Sequence, residues 1–105
     1  MLTEQFQIET DAKKLKEYLL NLQHPDGWSK AKFFRQQGFN TEEELKDLLL
    51  HLISNNSSKQ SVQTGFGVKY VVDGQVSPES FTMLRTVWIV LEGEKICRFV
   101  TAYPL

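Results

Sequence analysis

The chain has 105 residues, of which 41% are apolar and 24% are charged, and these proportions are usual for one globular domain. No apolar run approaches the roughly 20 residues that span a membrane, and the amino terminus carries no secretory signal, so a cytoplasmic location is expected. The net charge of -1 argues against a broad basic surface that binds nucleic acid through phosphates alone and leaves room for a local basic site. The single cysteine excludes an intramolecular disulfide.

The first predicted helix begins at Thr10 or Asp11, either of which can cap it. Its apolar side chains recur at helical spacing and are predicted to face the core: Ala12, Leu15, Tyr18, Leu19 and Leu22. The basic residues between them are interpreted as a solvated face: Lys13, Lys14 and Lys16. The sequence HPDGW, residues 24–28, then favours a turn that ends the helix.

Two further helices are predicted before the middle of the chain. The second begins at Ser29 and is closed by Gly38, which suits a left-handed backbone. Its apolar face carries Trp28, Ala31 and Phe34, and its basic face carries Lys32 and Arg35 together with the neutral Gln36. The third begins at Thr41, which forms a capping box with Glu44. This helix has a wide apolar stripe that is predicted to pack on a sheet, and the stripe comprises Leu45, Leu48, Leu49, Leu52 and Ile53.

A polar run, SNNSSKQS at residues 54–61, divides the chain into two halves of different periodicity. The helical half covers about 10–54, and the strand half covers about 61–104. Neither half could bury its apolar face alone. Residues 1–105 are therefore predicted to form one domain.

The strand half opens with a period of two from Val62 to Val72. Within this predicted strand, Gly65 and Gly67 indicate a bulge or a close approach by another group. The pair Asp73-Gly74 is a typical two-residue hairpin turn, and Pro78 limits the returning strand to a few residues.

The most apolar stretch, residues 83–105, is predicted to be a hairpin with a Gly93-Glu94 turn. This turn sets Glu92 opposite Lys95 and fixes the register. The facing pairs on one side are Trp88 with Phe99, Thr86 with Thr101 and Leu84 with Tyr103. Those on the other side are Ile89 with Arg98, Val87 with Val100 and Arg85 with Ala102. The whole prediction is α+β: three N-terminal helices followed by an antiparallel β-meander of three or four strands.

Four segments, HPDGWSKAKFFRQQGF, GFGVKYVVDG, RTVW and CRFVTAYP, carry a family resemblance that covers the chain from about Leu15. In order and separation they resemble a family of small bacterial, often cyanobacterial, proteins known as domain of unknown function six-eight-eight-three. More distantly, helices followed by a meander ending in VTAYP are similar to the barnase, EndoU, colicin and RelE-like ribonuclease toxins. That second likeness is one of fold, which does not by itself fix function.

The ribonuclease resemblance implies RNA cleavage without a metal ion. Such a reaction needs a base for the 2′-hydroxyl, an acid for the leaving oxygen and cations for the phosphate. The catalytic candidates are His24, Arg85 and Thr101. The candidates for binding RNA or another anion are Lys30, Lys32, Arg35, Lys69 and Tyr103. No metal or other cofactor is predicted, because no cluster of Cys, His and carboxylates has metal-ligand spacing.

Each candidate also has a structural explanation. His24 beside proline and glycine fits a solvated turn residue, and the lysines fit an ordinary helix surface. Arg85 and Arg98 lie in strands otherwise rich in Val, Ile and Leu, so each needs a carboxylate partner or a ligand.

Two functions of different classes are compatible with the sequence. The first is a metal-independent, toxin-type ribonuclease that acts on RNA. The second is a non-catalytic module, such as an antitoxin, immunity or accessory protein, whose sheet face binds a partner protein. The first requires His24, the basic face of the second helix and a strand arginine within ~10 Å of one another. An apolar second face of the sheet would also permit a homodimer, and no membrane partner is expected.

Overall fold

The computed structural model describes residues 1–25 and 28–105, without the side chains of Tyr18 and Leu19. The predicted turn at Asp26 and Gly27, and the predicted core positions of Tyr18 and Leu19, lie outside the described residues. The described helices are α1 (Leu2–Gln5), α2 (Ala12–Lys14, continued by a π-helical turn, Leu15–Leu19), α3 (Trp28–Gln36) and α4 (Glu42–Asn55). The described strands are β1 (Gln7–Glu9), β2 (Gln60–Gln63), β3 (Gly67–Gln75), β4 (Met83–Leu91) and β5 (Ile96–Pro104).

Helix α4 has the predicted start and the predicted buried face. The Thr41 hydroxyl accepts a hydrogen bond from the Glu44 N–H at 3.1 Å and donates one to Glu44 Oε1 at 3.0 Å, which forms the capping box. The whole predicted stripe is buried: Leu45, Leu48, Leu49, Leu52 and Ile53. At the other end, Asn56 Nδ2 donates to the Leu52 carbonyl at 2.8 Å and satisfies one of the last carbonyls of the helix.

The two helices before α4 were predicted correctly in part. Asp11 caps α2 through a 3.0 Å bond from the Lys13 N–H, as expected. The helix ends earlier than predicted, because the Leu20 N–H bonds back to the Leu15 carbonyl in a π-helical turn, and Leu22 is then 51% exposed. In α3 the predicted core residues Ala31 and Phe34 are buried and Gly38 has a φ of 95°, but Trp28 is 52% exposed.

The sheet has five strands in the order β1-β5-β4-β3-β2, and only the β1–β5 pair of the described strands is parallel. The prediction of a three- or four-stranded meander that follows all the helices is therefore wrong. Residues 7–9 form a strand before α2, and Ile8 packs against the core. Three residues are too few to show a period-two pattern, so β1 leaves no signal in the sequence.

The strand predicted from Val62 to Val72 is a hairpin. Its turn is built by Thr64, whose N–H donates to the Gly67 carbonyl at 2.7 Å and whose hydroxyl accepts from the Phe66 N–H at 3.2 Å. Gly67 lies against β4, where a Cβ atom would overlap the Val90 carbonyl oxygen. The two glycines therefore mark a turn and a close approach of backbone rather than a bulge.

The hairpin turn predicted at Asp73-Gly74 is wrong, because β3 continues through both residues to Gln75. Gly74 pairs with Leu84 and packs under α4, where a Cβ would lie 2.8 Å from the Leu52 side chain. The true connection follows Gln75, and it is closed by a 3.1 Å bond from the Val76 N–H to the Thr82 carbonyl. Packing beneath α4 thus overrides the local turn preference of Asp-Gly.

The closing hairpin exists, but its turn and part of its register differ from the prediction. The Glu94 N–H donates to the Leu91 carbonyl at 3.0 Å, so the four-residue turn runs from Leu91 to Glu94. Gly93, with a φ of 82°, is the second of its two central residues, where the prediction had made it the first. The pairs Trp88 with Phe99 and Ile89 with Arg98 are confirmed.

Beyond Trp88 the register shifts by one residue, because Val100 bulges out of β5. The observed pairs are Arg85 with Tyr103, Thr86 with Ala102 and Val87 with Thr101. The predicted pairs Thr86 with Thr101, Leu84 with Tyr103, Val87 with Val100 and Arg85 with Ala102 are therefore wrong. The bulge moves Thr101 to the same face of the sheet as Arg85.

The two faces of the sheet differ in burial. The face under the helices includes Val72, Leu84, Thr86, Trp88, Cys97, Phe99 and Ala102, all buried. Its polar groups are satisfied, since Trp88 Nε1 donates to Thr86 Oγ1 at 2.8 Å and that hydroxyl donates to the Val72 carbonyl at 2.6 Å. The opposite face, here called the outer face, is half-buried or exposed and carries Lys69, Val71, Asp73, Arg85, Val87, Ile89, Arg98, Thr101 and Tyr103. Among the described helices none has the length and apolarity that crossing a membrane would require.

Candidate functional site

Arg85 on the outer face is held by a carboxylate on the neighbouring strand. Its Nε and Nη2 atoms donate to the two carboxylate oxygens of Asp73 at 2.9 Å each, and Lys59 Nζ lies 3.8 Å from the same carboxylate. The hydrogen bonds from Arg85 lower the pKa of Asp73 and outweigh the opposing effect of burial. Asp73 is therefore an anion that fixes the orientation of the Arg85 guanidinium.

Tyr103 lies on the other side of Arg85, as its partner across the β4–β5 ladder. The hydrogen bonds with Asp73, and then an interaction with the Tyr103 side chain, raise the pKa of Arg85. Arg85 thus remains charged, bonded to a carboxylate on one neighbouring strand and paired in register with a tyrosine on the other.

Lys30 reaches the sheet from α3. Its Nζ atom donates to Thr101 Oγ1 at 3.0 Å, and Thr101 occupies the rung beside the Arg85–Tyr103 pair on the outer face. We call Lys30, Arg85, Thr101 and Tyr103 the outer-face cluster. It brings two cations and two hydroxyl groups to adjacent positions of β4 and β5.

Three of the other predicted anion-binding residues lie outside this cluster. Arg35 Nε and Nη2 donate to the Leu20 carbonyl at 3.2 and 2.7 Å and so tie α3 to the end of the π-helical turn. Lys32 is exposed on α3. Lys69 is exposed on the outer face of β3, opposite Ile89.

His24 lies in a separate surface hollow of about 700 Å³. The other residues that line this hollow are Asp11, Lys13, Lys14, Glu17 and Asn21. The hollow adjoins the sheet through Lys14, whose Nζ donates to the Val100 carbonyl at 3.0 Å. The structure thus brings half of the predicted site residues together in the outer-face cluster, whereas His24, Lys32 and Arg35 lie elsewhere. The grouping that the ribonuclease hypothesis requires is therefore formed only in part.

Lys14 was predicted to lie on a solvated helix face. In the structure its side chain packs against β5. Its side chain is partly buried, and its partner Val100 is 86 residues away. Local periodicity carries no information about a contact of that separation. The one available signal was the unusual density of lysine near the start of α2.

Arg98, the second strand arginine, is part of a different ion-pair group. Its Nη1 and Nη2 atoms contact Glu9 at 3.0 Å and Glu94 at 3.3 Å. Glu9 belongs to β1, so this group links the parallel strand to β5. Both strand arginines therefore have the carboxylate partners that their surroundings require.

Two other features are poor candidates for nucleotide chemistry. Cys97 is buried, and burial raises the pKa of its thiol to about 11, which leaves little thiolate near neutral pH. A larger hollow of about 870 Å³ between α4 and the β3–β4 connection is lined by Glu44 and Asp47, whose carboxylates would repel phosphate. Across residues 1–25 and 28–105, no three His, Cys, Asp or Glu side chains are grouped as a metal site would require.

The sequence pattern of the family described as Domain of unknown function (DUF6883) matches residues 1–105. Among solved structures, the chain is similar to one titled "Contact-dependent growth inhibition toxin - immunity protein complex from Klebsiella pneumoniae 342". The TM-score is 0.66 at 18% sequence identity, and the match covers 90% of this chain and 91% of the other. No curated protein matches the chain. At this identity the structural likeness concerns the fold alone.

Proposed function

This chain belongs to the DUF6883 family, as its sequence motifs predict, and we propose that it is a toxin-type ribonuclease that cleaves RNA without a metal ion. The observation that carries the proposal is the outer-face cluster, in which Lys30 contacts Thr101 beside the Arg85–Tyr103 pair. A phosphodiester bound at the outer-face cluster would contact the two cations, Lys30 and Arg85, and the hydroxyl groups of Thr101 and Tyr103. The fold is similar to that of a structure titled as a toxin and immunity protein complex, a title that is compatible with a toxin role and with an immunity role alike.

The proposed roles follow from charge and position. Arg85 and Lys30 bind the phosphate and stabilise the negative charge that develops on it. The hydroxyl groups of Thr101 and Tyr103 orient its oxygens. His24, from the adjoining hollow, accepts the proton of the 2′-hydroxyl as the oxygen attacks phosphorus. The bond to the 5′-oxygen breaks, and that oxygen takes a proton from a group of the cluster, which leaves a 2′,3′-cyclic phosphate and a 5′-hydroxyl.

The test is cleavage of a labelled single-stranded RNA by the purified protein. Thr101→Val keeps the side-chain shape and removes the hydroxyl, and Lys30→Met keeps the stem and removes the charge. Each is expected to lower the cleavage rate by about 100-fold, a typical effect of losing one group that stabilises developing charge. His24→Gln is expected to lower it by a factor of 100 or more, as loss of a general base does, to an order of magnitude.

Thr101→Ser is the matched control, because it retains the hydroxyl that contacts Lys30. It should cleave at close to the wild-type rate and release the same cyclic phosphate. Equal rates in wild type, Thr101→Val and Lys30→Met would contradict a role for the outer-face cluster.

A second function is favoured by a different feature of the same face. Val71, Val87 and Ile89 place apolar side chains at the centre of the outer face, with charged residues around them. Such a surface suits a non-catalytic module that binds a partner protein, as an immunity or accessory protein does. Folded wild-type protein that neither cleaves RNA nor arrests growth when expressed would favour this function over the first.

A further inference from the structure

The larger hollow runs along α4 and shares no residue with the outer-face cluster. One wall is the face of α4 from Glu44 to Asn55, and the other is the end of β3 with its connection to β4. We call this hollow the α4 groove. Its volume of about 870 Å³ is in the usual range for ligand sites, roughly 300 to 1,000 Å³. Its helix wall is about 16 Å long at a rise of ~1.5 Å per residue, which matches about five residues of extended peptide.

The floor of the α4 groove is apolar. Three buried side chains line it, Leu48, Leu52 and Val76, and none of them is more than 7% exposed. Met83 also lines the groove and is 37% exposed. A ligand that covers Met83 and the neighbouring Pro78 would remove apolar surface from water, which favours binding.

The first turns of α4 make one end of the groove negative, because Glu44 and Asp47 both line it. Glu44 Oε1 accepts the 3.0 Å bond from the Thr41 hydroxyl in the capping box. Within the described residues, no hydrogen bond or ion pair engages the Asp47 side chain. The described lining residues include no lysine or arginine, and His51 is the one base among them. Asp47 is thus open to a cation from outside the chain, and the charge of the groove favours one.

Arginine fits the combination of a carboxylate and an apolar floor. Its guanidinium is charged at any physiological pH and donates two parallel hydrogen bonds to a carboxylate such as Asp47. Its methylene stem can lie along apolar surface while the charged end reaches the carboxylate.

The far end of the groove carries amide side chains that suit a peptide main chain. Asn55 Nδ2 donates to the His51 carbonyl at 2.7 Å, and Asn56 Nδ2 donates to the Leu52 carbonyl at 2.8 Å. Both residues therefore direct a donor to their own helix and keep a side-chain oxygen that can accept a peptide N–H. A small free cation would gain nothing from this end of the groove.

We infer that the α4 groove binds an extended segment of a partner protein in which an arginine, flanked by apolar residues, places its guanidinium on Asp47. The charge of the groove, its apolar floor, its length and its amide end all favour such a segment. This inference goes beyond the proposed function and does not depend on it, because it uses no group of the outer-face cluster.

The test is selection of a random-peptide library, displayed on phage, against the purified chain. The recovered sequences are expected to share an arginine with apolar neighbours. A synthetic copy of the most frequent sequence then gives a Kd by isothermal titration calorimetry. Asp47→Asn should raise this Kd roughly tenfold, as the loss of a hydrogen bond to a charged group does. Met83→Ser should raise it about threefold through lost apolar contact.

Glu43→Gln is the matched control, because it removes a carboxylate from an exposed residue of α4 that does not line the groove. It should leave the Kd unchanged, and Asp47→Glu, which keeps the charge, should bind almost as tightly as wild type. A peptide with citrulline in place of arginine makes the same comparison without altering the protein. It should bind roughly tenfold more weakly, for the same reason as Asp47→Asn.

Several results would overturn the inference. The first is a selection that recovers no peptide or only peptides without a cation. The second is equal affinity of the arginine and citrulline peptides, or of wild type and Asp47→Asn. Spermine that binds as tightly as the peptide would assign the groove to a free polyamine instead. A dimer in sedimentation that Asp47→Asn dissociates would assign it to a second copy of the chain.

Discussion

The Asp73–Arg85 pair shows why a charged residue can occupy a strand of otherwise apolar side chains. The sequence indicates that Arg85 needs a partner. Asp73 was predicted to lie in a turn, so it was not recognised as that partner. In the structure the Asp73 side chain is 7% exposed and accepts two hydrogen bonds from Arg85. An arginine fixed in this way presents its remaining N–H groups in one direction, which is useful for binding phosphate.

Asp73→Asn tests this pair through its pH dependence. Because Arg85 lowers the pKa of Asp73, the pair contributes stability above the ordinary carboxyl pKa of 3.8 and loses it as pH falls further. The variant should melt a few degrees below wild type at pH 7. The difference in Tm should shrink as the pH of the thermal scans falls from 5 to 2. A difference in Tm that is constant over that range would show that charge is not the cause.

At the scale of elements, regular packing was predictable and irregular connections were not. The α4 stripe and its capping box follow from strong local patterns, and the structure confirms both. The hairpin between β2 and β3 was missed because its turn, held by the Thr64 N–H and hydroxyl, lacks a common two-residue turn sequence. The register of β5 was wrong only beyond the Val100 bulge, since nothing in the local sequence marks an extra residue.

The close contact between β3 and β4 at Gly67 predicts that a larger residue there destabilises the sheet. A Cβ on Gly67 would overlap the Val90 carbonyl oxygen and lie 2.8 Å from Leu91 Cα, and backbone atoms cannot move aside as a flexible side chain can. Gly67→Ala should therefore cost about 1 to 3 kcal/mol in the free energy of unfolding, the usual range for overpacking.

Gly65→Ala is the matched control, because no atom lies within 4 Å of a Cβ built at Gly65. Its free energy of unfolding should stay within about 0.5 kcal/mol of wild type. Urea denaturation measures both variants. Equal stability of Gly67→Ala and Gly65→Ala would mean that β3 and β4 are not held together as closely as described.

At the scale of the whole molecule, the segment before α2 completes the core. Leu2 is 3% exposed, and Phe6 and Ile8 pack against the same cluster as the buried residues of α4 and the sheet. The sequence placed no element in this segment, because a four-residue helix and a three-residue strand are too short to give a periodic signal. The make-up of the outer-face cluster was predictable only in part: residue types supplied the candidates, and the bulge and the docking of α3 decided which of them meet.

Leu2→Ala tests the contribution of this segment. The substitution should cost roughly 2 to 3 kcal/mol, low in the range for buried leucine because a terminal segment can relax around the lost volume. Leu105→Ala, at a side chain that is 61% exposed, should be almost neutral. Thermal or urea unfolding distinguishes them, and similar small losses in both variants would show that the α1 segment contributes little to the core.

The parallel pairing of β1 with β5 has a consequence for how the chain folds. Residues joined across this pair, such as Glu9 and Arg98, are 89 apart, so the edge strand cannot dock until almost all of the chain is available. During synthesis, Leu2, Phe6 and Ile8 leave the ribosome before β5, the strand with which β1 pairs. Closing so long a loop carries a large entropic cost. We therefore expect β1 to join after the β3–β4–β5 hairpins have formed, and folding intermediates to expose the free edge of β5.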